Sequence, residues 1–332
     1  FRTCCMDDNA SRLKTSKVRI VEFVTVSKFY GKYKEALQLE LTNSPSGLTR
    51  HISEPAINRP GLAIAGFYSY FAHKRIQVFG SAEVAYLRKL PAGMRRARVQ
   101  RMYRCEVPCI VFSRNEDPPS EILDLADEAG VCVFKTSLVT MKFVNAATII
   151  LENEFAENTT VQGCMLDVRG TGILIRGKSG VGKSEAALGL IERGGALVAD
   201  DIVQIRNIGG EVIGTAPEMS RGYIEVRGLG VVNVTNLFGL KALRHNKRLD
   251  LIVTLRPASE MGDLDRLGLE RERLEVLGEK IVHVELPVAP GRDTARLIEV
   301  AAIDLHLKSI GYDMAGEFNR RMTSRLAGEE LE

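Results

Sequence analysis

The chain has 332 residues, of which 45% are hydrophobic and 26% charged, a composition typical of a folded globular protein with room for two domains. Its 45 basic and 42 acidic residues leave a net charge of only +3, which argues against a dedicated nucleic-acid-binding protein. No apolar run is long enough to cross a bilayer, and the first residues lack the apolar core of a signal peptide. We therefore expect a cytoplasmic protein that binds neither nucleic acid nor membrane.

The first half of the chain alternates short apolar strands with helical segments. Residues 75–80 (RIQVFG) and 108–113 (PCIVFS) predict strands, and Ser81 and Ser120 are the predicted N-caps of the helices that follow. The second of these helices is predicted to end at Gly130, just before the strand VCVF. The order strand, helix, strand predicts a small α/β domain with parallel strands.

A longer helix is predicted over residues 141–157, and a polar, turn-like segment follows it. We place the domain boundary there, so the predicted domains cover residues 15–157 and 158–328. The five arginines of residues 94–104 suggest a nucleic-acid patch at first sight. With no aromatic platform beside them, a solvated helix face is the favoured interpretation.

The six cysteines favour reduced thiols over a disulfide scaffold. The spacing of Cys105 and Cys109 invites a metal-site interpretation, but no histidine or second cysteine pair lies near enough in sequence to complete four ligands.

Strands with glycine-rich connections predominate in the second half. Residues 203–216 (VQIRNIGGEVIGTA) predict a hairpin that turns at Gly209 and Gly210. Helical patterns over residues 294–310 and 313–327 close the chain.

Residues 177–184, GKSGVGKS, match the phosphate-binding pattern G-x-x-x-x-G-K-[ST]. An apolar strand precedes the match and an amphipathic helix follows it, as the motif requires. Glycines let backbone N–H groups converge on an anion, and the following helix presents its positive end. We expect Lys183 to reach the β- and γ-phosphates and the Ser184 hydroxyl to ligate Mg²⁺. The predicted nucleotide-binding residues are Gly177, Lys178, Ser179, Gly180, Val181, Gly182, Lys183 and Ser184.

Two adjacent acids, Asp200 and Asp201, end the segment ALVADD. If ALVAD is the next parallel strand, its carboxyl end lies beside the phosphate loop and both acids approach the γ-phosphate. A hydrolase would use such acids to hold Mg²⁺ and position water, whereas a kinase would use one of them to accept a hydroxyl proton. The pattern leaves both activities open.

Six segments of the second domain stand in an order that points to a known family: GKSGVGKSE, LVADD, IEVRGLGVVNVTNLFG, LDRLG, PVAPGR and IEVAAIDLHLKSIGYD. Residues 58–80 (NRPGLAIAGFYSYFAHKRIQVFG) add a match in the first domain. Over residues 15–325 the chain thereby resembles the bacterial HPr kinase/phosphorylase family. The resemblance implies an α/β fold, with a small N-terminal α/β regulatory domain and a C-terminal P-loop kinase domain of the phosphoenolpyruvate carboxykinase type.

Members of the family that this chain resembles phosphorylate a regulatory serine of the phosphocarrier protein HPr with ATP or pyrophosphate, and catalyse the reverse attack of phosphate on the seryl phosphate. The resemblance implies that Asp201 accepts the proton in the forward direction and donates it in the reverse. It also implies Glu225 as a second Mg²⁺ ligand and Arg266 as the active-site arginine. A homohexamer with contacts through its C-terminal helices is expected on the same ground.

One position departs from the family pattern. Where the family usually has His followed by Gly, this chain has Gln162 and Gly163. A glutamine side chain forms hydrogen bonds but does not carry a proton at neutral pH. We retain Gln162 as a catalytic candidate and expect the phosphorylase activity to be reduced or altered.

Two alternatives stand beside this interpretation: a diverged P-loop kinase with another acceptor, and a nucleotide-gated sensor without transfer activity. The combination of Lys183, Ser184, Asp201, Glu225 and Arg266 argues against the sensor, because a binding module has no evident use for a proton acceptor beside the γ-phosphate.

Overall fold

The computed structural model describes residues 13, 15–260 and 272–327. The contacts within the chain define two compact units, one of residues 20–156 and the other of the remaining described residues. Both units combine helices with sheets, which confirms the predicted α/β class. Among the described residues, no helix is long and apolar enough to span a membrane.

The unit of residues 20–156 alternates strands and helices along most of its length. Its elements are β1 (Val24–Thr25), α1 (Val26–Tyr33), β2 (Leu39–Leu41), β3 (His51–Ile52), β4 (Ile57–Asn58), α2 (Gly61–Ala65), β5 (Ile76–Phe79), α3 (Ser81–Lys89), α4 (Ala92–Arg104), β6 (Cys109–Phe112), α5 (Ser120–Ala129), β7 (Cys132–Thr136) and α6 (Thr140–Phe155). The main sheet has the order β2-β7-β6-β5-β4. Strands β4 to β7 are parallel, as predicted, and only β2 is antiparallel to its neighbour.

The predicted helix caps of this unit are partly wrong. Ser81 and Ser120 are the first residues of α3 and α5, so the N-cap positions belong to Gly80 and Pro119. At the start of α3, the Glu83 carboxylate accepts a hydrogen bond of 3.0 Å from the Gly80 N–H, which is the half of a capping box that the third helical residue supplies. Gly130 ends α5 in the left-handed conformation, which confirms that prediction.

Helices cover both faces of the main sheet, because alternate residues of its buried strands point to opposite sides. On one face, Phe143 and Leu151 of α6 join Val78 and Val111 of the strands in one apolar cluster. The side chains of α3, α4 and α5 form a second cluster on the other face. The arginine-rich α4 buries Val99, Met102 and Tyr103 and exposes most of its arginines, as expected for a solvated helix face.

Glu154, near the carboxyl end of α6, joins this helix to α1. Its carboxylate accepts hydrogen bonds from Lys28 and Lys32, both at 2.6 Å, and from the Tyr33 hydroxyl at 2.5 Å. Burial of the carboxyl group opposes its ionisation, yet these three donors lower the pKa of Glu154 to about 2. The folded state therefore favours the ionised carboxylate.

We expect Glu154→Gln to reduce the free energy of unfolding at neutral pH, because the variant lacks the charge that the two lysines bind. A carboxyl group whose pKa falls on folding stabilises the protein above its unfolded pKa, roughly 4.3, and this stabilisation is lost as the pH falls through the folded pKa. The difference between the variant and the wild type should therefore shrink as the pH falls from about 5 towards 2. Urea unfolding followed by far-ultraviolet circular dichroism at several pH values measures it. A difference that does not change with pH would contradict the assignment.

The second unit carries the remaining elements. They are β8 (Asn158–Gln162), β9 (Cys164–Val168), β10 (Thr171–Gly177), α7 (Lys183–Glu192), β11 (Ala196–Ala199), β12 (Ile202–Ile208), β13 (Glu211–Thr215), β14 (Tyr223–Val226), β15 (Gly230–Asn233), α8 (Val234–Phe238), β16 (Asn246–Arg248), β17 (Leu251–Pro257), β18 (Arg273–Val276), β19 (Glu279–Val288), α9 (Thr294–Ser309) and α10 (Met314–Ala327). Strands β12 and β13 form the antiparallel hairpin predicted around Gly209 and Gly210.

Two sheets and two helices form the layers of this unit. The larger sheet has the order β11-β9-β10-β17-β19-β18, and the smaller one the order β16-β13-β12-β8. Ile173 and Ile175 of β10 pack with α7 and α9 on one face, whereas Leu174 joins the cluster shared with the smaller sheet. The sequence analysis assigned residues 15–19 to the first domain, but in the structure they group with this unit. There the Ser16 N–H donates to the Thr160 carbonyl oxygen at 2.9 Å.

Candidate active site

The phosphate-binding motif lies where β10 passes into α7. Strand β10 runs parallel to β17, and the loop of residues 178–182 follows its carboxyl end. A β-carbon at Gly177 would lie 2.7 Å from the Leu255 carbonyl oxygen, so only glycine lets the chain pass β17 so closely. Gly182 caps α7 with a φ of 99°, in the left-handed region. The loop and the positive end of α7 therefore form an anion-binding cradle.

The two lysines of the loop have different partners. The Lys183 ammonium donates to the carbonyl oxygens of Gly177 and Lys178, both at 3.2 Å, and so lies over the loop. The Lys178 ammonium instead binds both carboxylate oxygens of Glu260, at 2.8 and 2.9 Å. Of these two lysines, Lys183 is therefore the one placed to contact a phosphate in the cradle.

The two acids follow β11, but this strand is not the direct neighbour of β10. Strand β9 lies between them and is antiparallel to both. The expected adjacency was therefore wrong, because a sequence pattern does not encode sheet order. Since β10 and β11 still run in the same direction, their carboxyl ends meet at one edge of the sheet, and Asp200 and Asp201 reach the loop as expected.

Asp200 is the more buried of the two acids and organises the site. Its carboxylate accepts a hydrogen bond of 3.1 Å from the backbone N–H of Glu225. Burial raises the pKa of Asp200 above its usual value, although this bond and those from the Cys164 thiol and the Asp201 N–H act in the opposite direction. Asp200 thus holds the strand that carries Glu225 against the end of β11.

Asp201 is exposed and has a φ of 63°. Aspartate tolerates this left-handed conformation better than most residues do. The Asp201 carbonyl oxygen accepts a bond of 3.0 Å from the Gly163 N–H. The main chain is therefore held, and within the described residues the exposed carboxylate has no hydrogen-bond or ion-pair partner.

A cleft of about 170 Å³ joins these elements. Lys183, Ser184, Asp201 and Glu225 all line it, so the structure brings these predicted site residues together. Its volume suits phosphate groups rather than a whole nucleotide, which would extend beyond it.

Arg227 also lines the cleft, and the sequence interpretation missed it. A β-carbon at Gly180 would stand only 3.3 Å from its guanidinium, so the side chain approaches the phosphate loop. Within the described residues this guanidinium has no ion pair. Its position two residues after Glu225, at the end of β14, is the signal that could have found it, because alternate strand residues share one face.

Gln162 ends β8 opposite Ile202 of β12. Gly163 follows Gln162 and Asp201 precedes Ile202, and the Gly163 N–H donates to the Asp201 carbonyl oxygen. Gln162 is therefore one residue away from this contact. It is exposed and does not line the phosphate cleft. Arg266 lies outside the described residues.

The described cysteines form no disulfide, and the described residues contain no preformed cluster of metal-binding side chains. Cys105, Cys109, Cys132 and Cys164 are free thiols. In the part of the chain that the structure describes, no group of three or more histidine, cysteine and acidic side chains is arranged to hold a metal ion.

Comparison with known proteins decides the family. The model of the HPr Serine kinase N terminus matches residues 24–151, and that of the HPr Serine kinase C-terminal domain matches residues 153–322. The chain belongs to the HPr kinase/phosphorylase family. It is 39% identical over 307 residues to the HPr kinase/phosphorylase of Chloroherpeton thalassium, covering 92% of this chain and 90% of that protein.

Two further matches are a curated relative and a solved structure. The HPr kinase/phosphorylase of Brevibacillus brevis is 39% identical over 289 residues, which cover 87% of this chain and 93% of that protein. The solved structure of the Hpr(Ser) kinase/phosphatase from Coxiella burnetii shares 34% identity, covers 48% of this chain and 97% of that chain, and superposes with a TM-score of 0.45. The two family models and the two curated relatives confirm as family membership the resemblance inferred from the sequence.

Proposed function

We propose that this protein phosphorylates a regulatory serine of the phosphocarrier protein HPr, with ATP or pyrophosphate as donor, and catalyses the reverse reaction in which phosphate attacks the seryl phosphate. The observation that carries the proposal is the meeting of Lys183 and Asp201 in one cleft. A phosphate-binding cation and a free carboxylate are what transfer to a hydroxyl group requires. The names of the related proteins supply the acceptor.

Asp201 is the proposed proton acceptor for the serine hydroxyl. In the reverse direction the same carboxyl group returns the proton to the serine oxygen as the oxygen–phosphorus bond breaks and a bond to the attacking phosphate forms. Lys183 and Arg227 would stabilise the negative charge on the transferring phosphoryl oxygens, because a fixed cation costs no reorganisation during the reaction. Each of these groups borders the cleft.

Ser184 and Glu225 would hold a Mg²⁺ ion. A hydroxyl and a carboxylate are the hard oxygen ligands that Mg²⁺ prefers, and the ion usually takes its remaining ligands from water and phosphate. Both residues line the same cleft, and Asp200 fixes the strand of Glu225. When bound, the ion would neutralise part of the phosphate charge.

Incubation with purified HPr, labelled ATP and Mg²⁺ tests the proposed acceptor. We expect one labelled phosphoserine on HPr and its loss when inorganic phosphate is added. Labelling of another protein or of a small molecule would favour the diverged kinase. A nucleotide-gated sensor would bind ATP and label nothing.

The Gln162→His variant tests the departure from the family pattern. Since Gln162 stands one residue from the Asp201 contact, a titratable side chain there can supply a charge or proton that glutamine does not. We expect phosphate-dependent dephosphorylation to rise several-fold while kinase activity changes little. The ratio of the two rates for one enzyme preparation is the measurement. An unchanged ratio would remove Gln162 from the catalytic residues.

We further propose assembly into a homohexamer. Large apolar side chains stand exposed around α10, as they would at a surface between subunits. They are Ile310, Tyr312, Met314, Phe318 and Met322. Light scattering of the purified protein measures the assembly, and a monomer at micromolar concentration would exclude it.

A further inference from the structure

A second cleft lies at the smaller sheet of the C-terminal unit. We call it the outer-sheet cleft; its lining residues belong to the segment 16–19, β8 and β12. Its volume is about 390 Å³, and it shares no residue with the phosphate site. The lining contains three cations, Lys17, Arg19 and Arg206, and no carboxylate. Hydroxyl and amide side chains make up the rest.

Strand pairing explains why two of these cations meet. Asn158 of β8 lies opposite Arg206 of β12 and also forms a bridge with Arg19 on its other side. Residues directly opposite each other in neighbouring strands project from the same face. Arg19 and Arg206 therefore flank Asn158 on one face, two strand spacings or about 10 Å apart at the backbone.

These cations lack the partners that other cations of the unit have. Within the described residues, none of Lys17, Arg19 and Arg206 forms an ion pair. Like charges on neighbouring strands repel each other, and no described acid offsets them here. The cleft therefore carries a local excess of positive charge. Elsewhere in the same unit, arginines bind carboxylates at 2.5 to 2.8 Å in the pairs Arg169–Glu299, Arg193–Asp293, Arg248–Asp250 and Arg256–Glu285.

We propose that the outer-sheet cleft binds a small multivalent oxyanion, with Lys17, Arg19 and Arg206 as its cationic contacts. Guanidinium groups bind phosphate and carboxylate oxygens in pairs of hydrogen bonds, and two of them at this spacing suit an anion with more than one charged group. The volume falls within the roughly 300–1,000 Å³ of small-molecule sites and exceeds the need of a single phosphate. Thr160 and Gln204, which lie opposite each other, offer polar contacts beside the charges.

The cleft borders both points at which the chain passes between the two units. Arg19 is the last residue before the unit of residues 20–156, and Asn158 follows that unit by two positions. Their backbones exchange hydrogen bonds of 2.8 and 3.1 Å. An anion held by Arg19 and Arg206 therefore stabilises this pairing, and the exchange of the Arg19 and Asn158 amide hydrogens should slow when it binds.

Equilibrium titration of the full chain with pyrophosphate and with citrate, without Mg²⁺, tests the site. All titrations use a Lys183→Ala background, which weakens the phosphate loop as a competing site. We expect at least one probe to bind, and Arg206→Gln to weaken that binding at least tenfold. Pyrophosphate alone would identify a phosphate ligand, citrate alone a carboxylate ligand, and both a general oxyanion site.

Arg248→Gln is the matched control, because Arg248 is exposed on the same sheet but already paired with Asp250 and Glu211. It removes the same charge and should leave binding within about twofold of the parent. The proposal is overturned if neither probe binds in the millimolar range, if Arg206→Gln binds as tightly as the parent, or if Arg248→Gln weakens binding equally. Since no turnover is measured, the outcome is independent of the phosphoryl-transfer activity.

Discussion

Asp201→Asn is expected to lower kcat for HPr phosphorylation by about a hundredfold to ten-thousandfold, the usual contribution of a positioned general base. Asparagine has nearly the same shape and tolerates the left-handed φ of 63° at this position, so the main chain should not change. The carbonyl that accepts the Gly163 N–H bond is also retained. The variant thus removes proton acceptance and leaves the scaffold intact. Steady-state rates with saturating ATP and HPr provide the measurement.

Asp200→Asn is the matched control for this prediction, since it makes the same change one residue earlier. Asp200 binds the Glu225 backbone, so its variant should mainly raise the Mg²⁺ concentration needed for half-maximal rate. Asp201→Asn should instead bind ATP and Mg²⁺ normally and transfer slowly. For Asp201→Asn we expect kcat to fall equally for phosphorylation and for dephosphorylation, because the Asp201 carboxyl group serves both directions. Retention of the wild-type rate by Asp201→Asn would exclude it as the base.

The α/β order was predictable because its signals are local. Buried strands such as β6 read as short apolar runs, and α5 ends at a glycine that adopts the left-handed conformation. The cap errors have the same local origin. Ser81 resembles an N-cap, but the N-cap is Gly80, whose N–H binds the Glu83 carboxylate, so α3 begins one residue earlier than predicted. Which strand pairs with which depends on packing over the whole unit, and so the insertion of β9 between β10 and β11 escaped prediction.

The candidate site also contains residues that the sequence could predict and others that it could not. The phosphate loop is recognisable from eight consecutive residues, because one turn of backbone and one helix end perform its function. Glu225 became a candidate only through the family resemblance, since its strand alone reads as an ordinary surface segment. Arg227 could have been inferred from Glu225, because it lies two residues further along the same strand direction. The link from Asp200 to the Glu225 backbone required coordinates, because no local pattern tells that β14 meets the end of β11.

Lys183→Ala is expected to reduce kcat/KM for ATP by about a hundredfold to a thousandfold, the scale found when one fixed donor to a developing charge is removed. Lys183 lies over the loop and donates to the carbonyl oxygens of Gly177 and Lys178, so phosphate oxygens would lie within its reach. Alanine is compatible with the helix that begins at this position, so α7 should remain formed. ATP titration and initial rates measure the loss.

Lys178→Ala supplies the control within the same loop. Lys178 binds Glu260 with its side chain 73% exposed, and such surface pairs contribute roughly 0–1 kcal/mol to stability. Its removal should change kcat/KM for ATP by no more than a few fold, although it takes the same charge from the same loop. A comparable loss in both variants would mean that the loop attracts the nucleotide by its net charge alone. A loss confined to Lys183→Ala would show that the position of one ammonium group over the cradle determines the activity.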